Sequence, residues 1–287
     1  MWIANTINDL RKHRHALSGS VAFVPTMGAL HEGHLSLVRE GFAHSAHVIV
    51  SIFVNPTQFG PKEDFSKYPR PLEKDLALCQ QAGVTGVFAP EPDEMYPPGL
   101  PACQVNVPTV AQELEGQFRP GHFQGVCRVV AKLFNMVQPN VACFGMKDYQ
   151  QLQVITAMTH DLAFPMEIVP CPTLREPDGL AMSSRNVYIT PQQRPKALAL
   201  KHALDLARTL IEDQHITDPQ IVEQAMHDTL KAADFAIDYA TLRHPHTLAQ
   251  LSVIDPSVIG NVAALIAVRW PNVRLIDNQL IAPGSLR

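Results

Sequence analysis

The distribution of apolar residues divides the chain into two parts. Up to about Pro172, short runs rich in valine and isoleucine alternate with stretches in which apolar residues recur every three or four positions. The first pattern predicts buried strands, the second predicts amphipathic helices, and their alternation is typical of a parallel sheet with crossover helices. The predicted strands are Val21 to Val24, Val48 to Val54, Val84 to Ala89, Val141 to Phe144 and Met166 to Val169.

Four helices are predicted between these strands. Their apolar positions are Leu35, Val38 and Phe42, then Leu72, Leu76 and Cys79, then Val126, Val129, Val130, Leu133 and Val137, then Leu152, Ile155 and Met158. Prolines cluster in the connections Pro56 to Pro71, Pro90 to Pro101 and Pro165 to Pro177. Because ligands of open α/β sheets bind where loops leave the carboxyl ends of strands, these irregular loops are candidates for the site.

After Pro191 the pattern changes. A long helix is predicted from Gln192 to about Gln214, followed by a helix that Asp218 caps, with Pro219 in its first turn. Four short runs then predict strands of an antiparallel or mixed sheet beside two helices: Ile237 to Leu242, Leu251 to Ile254, Ala263 to Val268 and Leu275 to Ile276. We therefore predict an α/β chain with a larger domain over residues 1–174 and a smaller α+β domain over residues 175–287.

Composition narrows the class of partner. The chain has 287 residues, of which 46% are apolar and 17% charged, and a net charge of −4, so no basic face is expected for nucleic acid or an anionic membrane. The five cysteines form no Cys-x-x-Cys pair and are expected to be reduced core residues. No segment resembles a signal peptide or approaches ~18 uninterrupted apolar residues. We expect a cytoplasmic protein that binds small molecules.

Two histidines one helical turn apart are the most informative feature of the sequence. In the run from Pro25 to His34, the pair His31 and His34 follows a predicted strand and lies beside Gly28 and Gly33. A strand, a glycine-containing turn and a helix start direct backbone N–H groups and two imidazoles to one point, which suits a polyphosphate. A purely structural role is the alternative. Zinc-protease chemistry is excluded, because its histidines stand four residues apart, and neither Gly-x-Gly-x-x-Gly nor a Walker loop is present.

A second candidate follows the predicted strand that ends at Phe144. In the run from Phe144 to Gln151, Lys147 is placed to reach phosphate, although a solvated lysine at a helix start would look the same. Asp148 is expected to cap the helix that follows, a role that competes with ligand binding.

A third candidate is the polar run from Pro172 to Asn186. Its serine pair, Ser183 and Ser184, stands next to Arg185, and paired guanidinium donors with two hydroxyls suit phosphoryl oxygens. An ordinary connecting loop is the alternative.

A fourth candidate follows the strand that ends near Val54. Asn55 and Gln58 offer neutral donors and acceptors for a small polar acid, and buried amides discriminate such groups because the wrong ligand leaves them unpaired. The dipeptide Asn55-Pro56 is also a simple turn signal.

Together these runs resemble the pantothenate synthetase family, whose members join pantoate to β-alanine with ATP. The likeness covers nearly the whole chain and is most specific in Pro25 to His34, Asn55 to Gly60, Arg119 to Gly125, Gly145 to Gln151 and Arg175 to Asn186. It implies a Rossmann-like sheet of the nucleotidyltransferase type in 1–174 and a lid role for 175–287. The run from His31 to His34 also resembles the His-x-Gly-His signature of class I aminoacyl-tRNA synthetases.

The resemblance also implies roles for single residues. Residues 27–34, 145–148, 174 and 182–185 would contact ATP; they are Met27, Gly28, Ala29, Leu30, His31, Glu32, Gly33, His34, Gly145, Met146, Lys147, Asp148, Leu174, Met182, Ser183, Ser184 and Arg185. Gln58 and Gln151 would hold pantoate, and Gln58 would also meet β-alanine. His34 corresponds to the family's acid residue, and we predict that His34, His31, Lys147 and Arg185 stabilise the reacting phosphate. Met146 departs from the family, in which we expect Glu or Gln there.

The implied reaction is a ligation of pantothenate and coenzyme A biosynthesis. It passes through pantoyl adenylate and releases AMP and pyrophosphate. Mg²⁺ is expected to accompany the triphosphate, held mostly by phosphate and water, with Asp75 as an outer-shell contact. A homodimer formed through the larger domain is also implied. Two other functions stay open: an enzyme of the same fold that adenylates a different small acid, and a nucleotide-binding module without catalysis.

Overall fold

The computed structural model describes residues 1–61, 63, 65–255, 260–270 and 273–283. The chain divides into two compact units. The first comprises Met1–Met146 and Gln150–Leu174, and the second comprises Lys147–Tyr149 and the chain from Arg175 onwards.

The segment before Arg175 alternates strands and helices. Its elements are β1 (Trp2–Ala4), α1 (Ile7–Ala16), β2 (Val21–Thr26), α2 (Glu32–His44), β3 (His47–Ile52), α3 (Leu72–Gln81), β4 (Gly86–Phe88), α4 (Pro92–Met95), α5 (Pro108–Ala111), α6 (Glu115–Phe118), α7 (His122–Val137), β5 (Val141–Gly145), α8 (Tyr149–Asp161) and β6 (Glu167–Cys171). The strands form one parallel sheet in the order β1-β4-β3-β2-β5-β6. The predicted fold class and the five predicted strands, β2 to β6, are confirmed.

The central strands are apolar because they are covered on both faces. Val21, Ala22, Phe23 and Val24 of β2 are fully buried, as expected for a parallel sheet between helix layers. Strand β1 was not predicted, since three residues give no periodicity. It pairs with β4 at Gly86, where an added Cβ would lie only 2.1 Å from the Trp2 ring.

The strand order places two candidate motifs at one edge of the sheet. Chain order reverses between β2 and its neighbour β5, and such a reversal is where open α/β sheets bind ligands at the carboxyl ends of their strands. The pairing of Ala22 with Val141 and of Phe23 with Ala142 sets the last residues of the two strands, Thr26 and Gly145, level with each other.

The second unit packs helices on a small antiparallel sheet. From Arg175 onwards its elements are α9 (Arg194–Ala197), α10 (Ala199–Glu212), α11 (Pro219–Ala232), β7 (Ala236–Arg243), β8 (Val262–Trp270) and β9 (Val273–Ile281). The sheet order is β7-β8-β9, and its apolar face packs on Leu200, Leu204 and Met226 of the helices. The predicted cap of α11 is confirmed, because the Asp218 carboxylate accepts a hydrogen bond from the Gln220 N–H.

Two predictions for this unit were wrong. The helix predicted from Gln192 begins instead at Arg194 and is interrupted at Leu198; the ring of Pro195 fits only the first turn of a helix. The run from Leu251 to Ile254 is not a strand. Its Ile254 is buried, but the Ile254 N–H donates to the Thr217 carbonyl rather than to a neighbouring strand.

The cysteines are all free thiols, and four of them are buried as predicted. Cys103 is exposed, contrary to the prediction, because it lies in a segment without helix or strand between Leu100 and Pro108. Within the described part of the chain, no helix combines the length and the apolar character needed to cross a bilayer.

Candidate active site

The two histidines of the first motif meet at the start of α2. His31 is the N-cap of the helix, and its Nδ1 accepts a hydrogen bond from the Gly33 N–H at 3.2 Å. His34 Nδ1 accepts from the His31 N–H at 3.3 Å, and the ring centroids lie 4.1 Å apart. Because a backbone N–H can only donate, the Nδ1 atom of each ring is an acceptor. The proton of each neutral imidazole is therefore on Nε2, where it is a donor suited to a phosphate oxygen.

The β2–α2 loop, residues 27–31, is anchored by a buried carboxylate. Asp75 of α3 is 1% exposed and accepts the Ala29 N–H and the Leu30 N–H, both at 2.8 Å. Gly28 has φ of +87°, and an added Cβ would lie 2.9 Å from Asp75 Oδ2, so this turn requires glycine. Burial raises the pKa of Asp75 above its ordinary value, although the two N–H donors oppose this shift. The two hydrogen bonds to Asp75 thus fix the main chain of the loop at Ala29 and Leu30.

Sequence reasoning missed this role of Asp75. It assigned the residue only to the outer shell of a magnesium ion, and the anchored N–H groups lie 45 and 46 residues away in sequence. An acidic residue in the first turn of α3 is explained by the helix dipole alone, so no sequence signal distinguished the two functions.

The polar turn after β3 is held by Asn55. Its Oδ1 accepts from the Thr57 N–H at 3.2 Å and from the Tyr96 hydroxyl at 2.8 Å, while its Nδ2 donates to the Gly125 carbonyl at 3.2 Å. One of these partners is a backbone donor and another a backbone acceptor, so the orientation of the Asn55 amide is unambiguous. The Nδ2 group also donates to Gln58 Oε1 at 2.9 Å.

Gln58 consequently presents a donor. Its Oε1 is engaged by Asn55, and its Nε2 lies 3.1 Å from Met27 Sδ in the β2–α2 loop. Asn55 is 0% and Gln58 7% exposed. A buried NH₂ group recognises a carboxylate or hydroxyl oxygen, because a ligand without that oxygen leaves the NH₂ unpaired. The structure thus brings a predicted acid-binding residue next to a predicted ATP-binding residue.

The remaining predicted residues lie in both units. In the first, Gly145 ends β5, Met146 follows it half-buried, Gln151 is half-buried in the first turn of α8, and Leu174 is the last residue. The second unit holds Lys147, Asp148, Met182, Ser183, Ser184 and Arg185. The ATP and pantoate contacts assigned to these residues stay predictions, as does the helix cap at Asp148.

Within the second unit, Lys147 and Arg175 are each bound to a residue of β9. The Asn278 side chain donates to the Lys147 carbonyl at 2.7 Å. Asp277, whose side chain is 1% exposed, binds both Nη atoms of Arg175 at 2.7 and 3.0 Å. Adjacent residues of β9 therefore hold Lys147 and the beginning of the segment that continues to Arg185. Sequence reasoning missed Asp277 and Asn278, because nothing near them in sequence indicates a ligand.

The 175–186 segment is further fixed by ion pairs. Arg194 binds Glu176 at 2.6 Å and Asp178 at 2.7 Å, and the Asn186 side chain donates to Glu176 Oε1 at 2.7 Å. Arg194 lowers the pKa of Asp178. The Ser183 hydroxyl accepts from the Arg185 N–H at 3.2 Å, which opens a short 3-10 turn.

In the described part of the chain, no group of side chains could hold a metal ion by itself. Among the described residues, no three histidine, cysteine or carboxylate side chains are grouped as metal ligands. Both oxygens of Asp75 accept backbone hydrogen bonds, so Asp75 does not fit a direct metal ligand; its outer-shell role stays a prediction.

Comparison with known proteins extends over the whole chain. The sequence model of the pantoate–β-alanine ligase family matches residues 2–280. A pantothenate synthetase of Roseiflexus castenholzii is 49% identical over 286 residues, covering 98% of this chain and 99% of that protein. The crystal structure of pantothenate synthetase from Thermus thermophilus superposes with a TM-score of 0.92 at 47% identity, covering 99% and 100% of the two chains. A Francisella tularensis pantoate–β-alanine ligase, complexed with β-γ ATP and β-alanine, superposes with a TM-score of 0.79 at 32% identity, covering 98% and 97%.

Proposed function

This chain belongs to the pantoate–β-alanine ligase family, and we propose that it joins pantoate to β-alanine with ATP, through pantoyl adenylate, releasing AMP and pyrophosphate. One observation carries the assignment of the site. At the reversal of strand order, His31 of the β2–α2 loop and His34 of the first turn of α2 each have an Nε2–H donor. Met27 of the same loop contacts the buried Gln58 amide. The contact between Met27 and Gln58 supports the assignment of phosphate and a small acid to adjacent parts of one site.

In the first step, a pantoate carboxylate oxygen attacks the α-phosphorus of ATP. The bond from this phosphorus to the bridging oxygen breaks, and pyrophosphate leaves with the electron pair. Negative charge grows on the phosphoryl oxygens, so donors fixed in advance lower the barrier. We assign His34 and His31 to these oxygens, with Lys147, Arg185, Ser183 and Ser184 as further donors. Gln58 and Gln151 hold pantoate, with Gln58 donating from Nε2.

In the second step, the neutral amine of β-alanine attacks the acyl carbon of the adenylate. The C–O bond breaks, AMP leaves with the former carboxylate oxygen, and the amine loses a proton as the amide forms. No covalent enzyme intermediate is needed. The site contributes by holding the amine near the acyl carbon and by keeping water from the mixed anhydride. The lid role of 175–287 stays a prediction.

We assign magnesium to the triphosphate rather than to a protein cage. A hard divalent cation bound by phosphate oxygens and water suits the absence of grouped ligands among the described residues. EDTA should abolish turnover and added Mg²⁺ should restore it. The cytoplasm as location and a homodimer as assembly also stay proposals, tested by cell fractionation and by light scattering.

Isotope transfer tests the proposed function. With ATP, Mg²⁺, β-alanine and pantoate labelled with ¹⁸O in its carboxylate, we expect AMP that carries one ¹⁸O atom. Without β-alanine, we expect pantoate-dependent exchange of labelled pyrophosphate into ATP. Formation of ADP and phosphate would contradict the adenylate mechanism.

The same assays separate the two alternatives. An enzyme for another acid would make AMP with that acid and not with pantoate. A nucleotide-binding module would bind ATP and produce neither AMP nor ADP. The adjacency of Gln58 and Met27 favours catalysis, because a module that only senses nucleotide needs no acid-binding amide beside its loop.

A further inference from the structure

The motif from Arg119 to Gly125 has no role in the mechanism above, yet it packs on the acid-binding turn. It covers the residues before α7 and the first turn of that helix, and its contacts are with the 3-10 turn Pro56–Gln58. Three of its groups reach that turn or support a group that does: the His122 ring, the Arg119 guanidinium and the Gly125 backbone.

His122 holds the main chain of Gln58. The ring is 7% exposed, its Nδ1 lies 2.8 Å from the Gln58 carbonyl oxygen, and its Nε2 lies 3.0 Å from Arg119 Nη1. A guanidinium can only donate and a carbonyl can only accept, so Nε2 is the acceptor and Nδ1 carries the proton. Burial, assisted by the Arg119 charge, lowers the pKa of His122 to about 4. The ring is therefore neutral at physiological pH.

Arg119 fixes that ring in turn. Its Nε and Nη2 donate to the two carboxylate oxygens of Glu63 at 2.7 and 2.9 Å. The planar, two-point pairing sets the direction of Nη1 and hence the tautomer and tilt of His122. The chain of contacts runs from Glu63 through Arg119 and His122 to the carbonyl of Gln58.

Gly125 lets α7 approach the turn closely. A Cβ at this position would lie 2.2 Å from the Thr57 carbonyl oxygen and 2.6 Å from Gln58 Cα, distances that no side chain can occupy. The Gly125 carbonyl accepts the Asn55 amide, which in turn engages Gln58 Oε1. The motif thus holds both the main chain of Gln58, through His122, and the side chain of Gln58, through Asn55.

We propose that the Arg119–Gly125 motif is a positioning device for the acid site: His122 and Gly125 hold the Gln58 NH₂ group at the place where it meets an oxygen of the pantoate. This inference rests on the proposed assignment of Gln58 to pantoate. His122 and Gly125 are positioning residues, since they act through Gln58.

Steady-state kinetics of the full-length enzyme tests the proposal. The His122→Gln variant loses the Nδ1 donor, and we expect its KM for pantoate to rise about three- to tenfold, with the KM for ATP unchanged. In His122→Asn the amide NH₂ takes the place of Nδ1–H, so the KM for pantoate should return towards that of the wild type. Gly125→Ala displaces the turn and should raise the KM for pantoate at least as much as His122→Gln. Unfolded enzyme lowers the apparent kcat but not KM, so loss of stability alone does not mimic these results.

Two control variants carry the same substitutions at sites outside the Arg119–Gly125 motif. His160→Gln changes an exposed histidine of α8, and Gly260→Ala adds a Cβ where no atom lies within 4 Å, so both should keep the wild-type KM for pantoate. In a Gln58→Ala background, His122→Gln should have no further effect on that KM. Three results would overturn the proposal. The first is a full additional rise in the KM for pantoate when His122→Gln is added to Gln58→Ala, and the second is an equal rise in the KM for ATP. The third is an unchanged KM for pantoate in both His122→Gln and Gly125→Ala.

The Gln58→Ala variant distinguishes the assignment of Gln58 to pantoate from the positioning role of His122 and Gly125. If it leaves the KM for pantoate unchanged, the assignment of Gln58 and the positioning role fall together. If it raises that KM while His122→Gln and Gly125→Ala do not, only the positioning role is overturned and the proposed function stands.

Discussion

The two segments assigned to ATP differ in how far their anchoring contacts are buried. In the first unit, the β2–α2 loop donates two backbone N–H groups to the buried carboxylate of Asp75. In the second unit, the 175–186 segment is held by ion pairs of Arg194 with Glu176 and Asp178, which are partly exposed, and by the pair of Arg175 with Asp277.

The two kinds of anchor predict different rigidity. Hydrogen bonds to a buried charge are strong and poorly screened, whereas exposed ion pairs weaken in salt and contribute less than about 1 kcal/mol each. We therefore interpret the β2–α2 loop as a fixed platform. In the 175–186 segment, the buried pair of Arg175 with Asp277 fixes the start, and we interpret the part held by Arg194, at Glu176 and Asp178, as more adjustable.

The largest effect is expected from His34, which follows the platform in the first turn of α2. His34→Ala removes a fixed donor to the reacting phosphate, and we expect kcat for adenylate formation to fall about 10²- to 10³-fold, with the fold intact by circular dichroism. His44→Ala, at the exposed end of the same helix, is the matched control and should keep wild-type exchange of pyrophosphate into ATP. Near-normal turnover of His34→Ala would remove His34 from the mechanism.

Removing the buried anchor should have the next largest effect. In Asp75→Asn, one of the two N–H groups faces an NH₂ group instead of an oxygen, so unfolding free energy should fall by about 1–3 kcal/mol and the KM for ATP should rise. Urea denaturation and initial rates measure the two changes. Asp161→Asn, at an exposed carboxylate that ends α8, should change neither. If Asp75→Asn keeps the stability of the wild type and its KM for ATP, Asp75 is not the anchor of the loop.

The second anchor should yield a smaller effect that depends on salt. Arg194→Met breaks the pairs with Glu176 and Asp178, and we expect a loss of less than about 1 kcal/mol in stability and a rise of about two- to threefold in the KM for ATP. Both differences from the wild type should shrink at high salt. Arg208→Met, whose carboxylate partners lie at 3.9 Å on an exposed face of α10, serves as the control. A salt-independent loss would show that the segment is as rigid as the platform.

The smallest expected effect is that acidification changes the stability contributions of Asp75 and Asp178 in opposite directions. Burial raises the pKa of Asp75, so the wild type should gain stability relative to Asp75→Asn as pH falls from neutral through that raised pKa. Arg194 lowers the pKa of Asp178, so the wild type should lose stability relative to Asp178→Asn as pH falls below the ordinary value of 3.8. Thermal melts from pH 7 to pH 3 measure both differences. If both stability differences change in the same direction as pH falls, the two carboxylates do not have opposite environments.

The fold was predictable where local pattern and burial agree. The strands β2 to β6 consist of apolar runs long enough to be seen, and their order along the chain with intervening helices implies the parallel sheet. Strand β1 is too short for periodicity. In the run from Leu251 to Ile254 only Ile254 is buried, and its N–H bonds to Thr217 instead of a strand, so neither segment was predicted correctly.

The candidate site was predictable only as a set of motifs. His31 and His34 lie one turn apart in sequence, and a helix start is enough to bring their rings together. Gln58 was found beside Asn55 for the same local reason, but its role as a donor depends on Tyr96 and Gly125, which lie far away in sequence.

By itself, the sequence determined the alternation of strands and helices, the change of pattern after Pro191 and the type of chemistry, because these depend on residue identity and short-range spacing. Tertiary structure alone decided which groups are anchors: Asp75 for the β2–α2 loop, Asp277 for Arg175, and His122 for Gln58. The physical reason is burial. A carboxylate or an imidazole acquires a defined partner, proton position and pKa only after distant segments have excluded water around it.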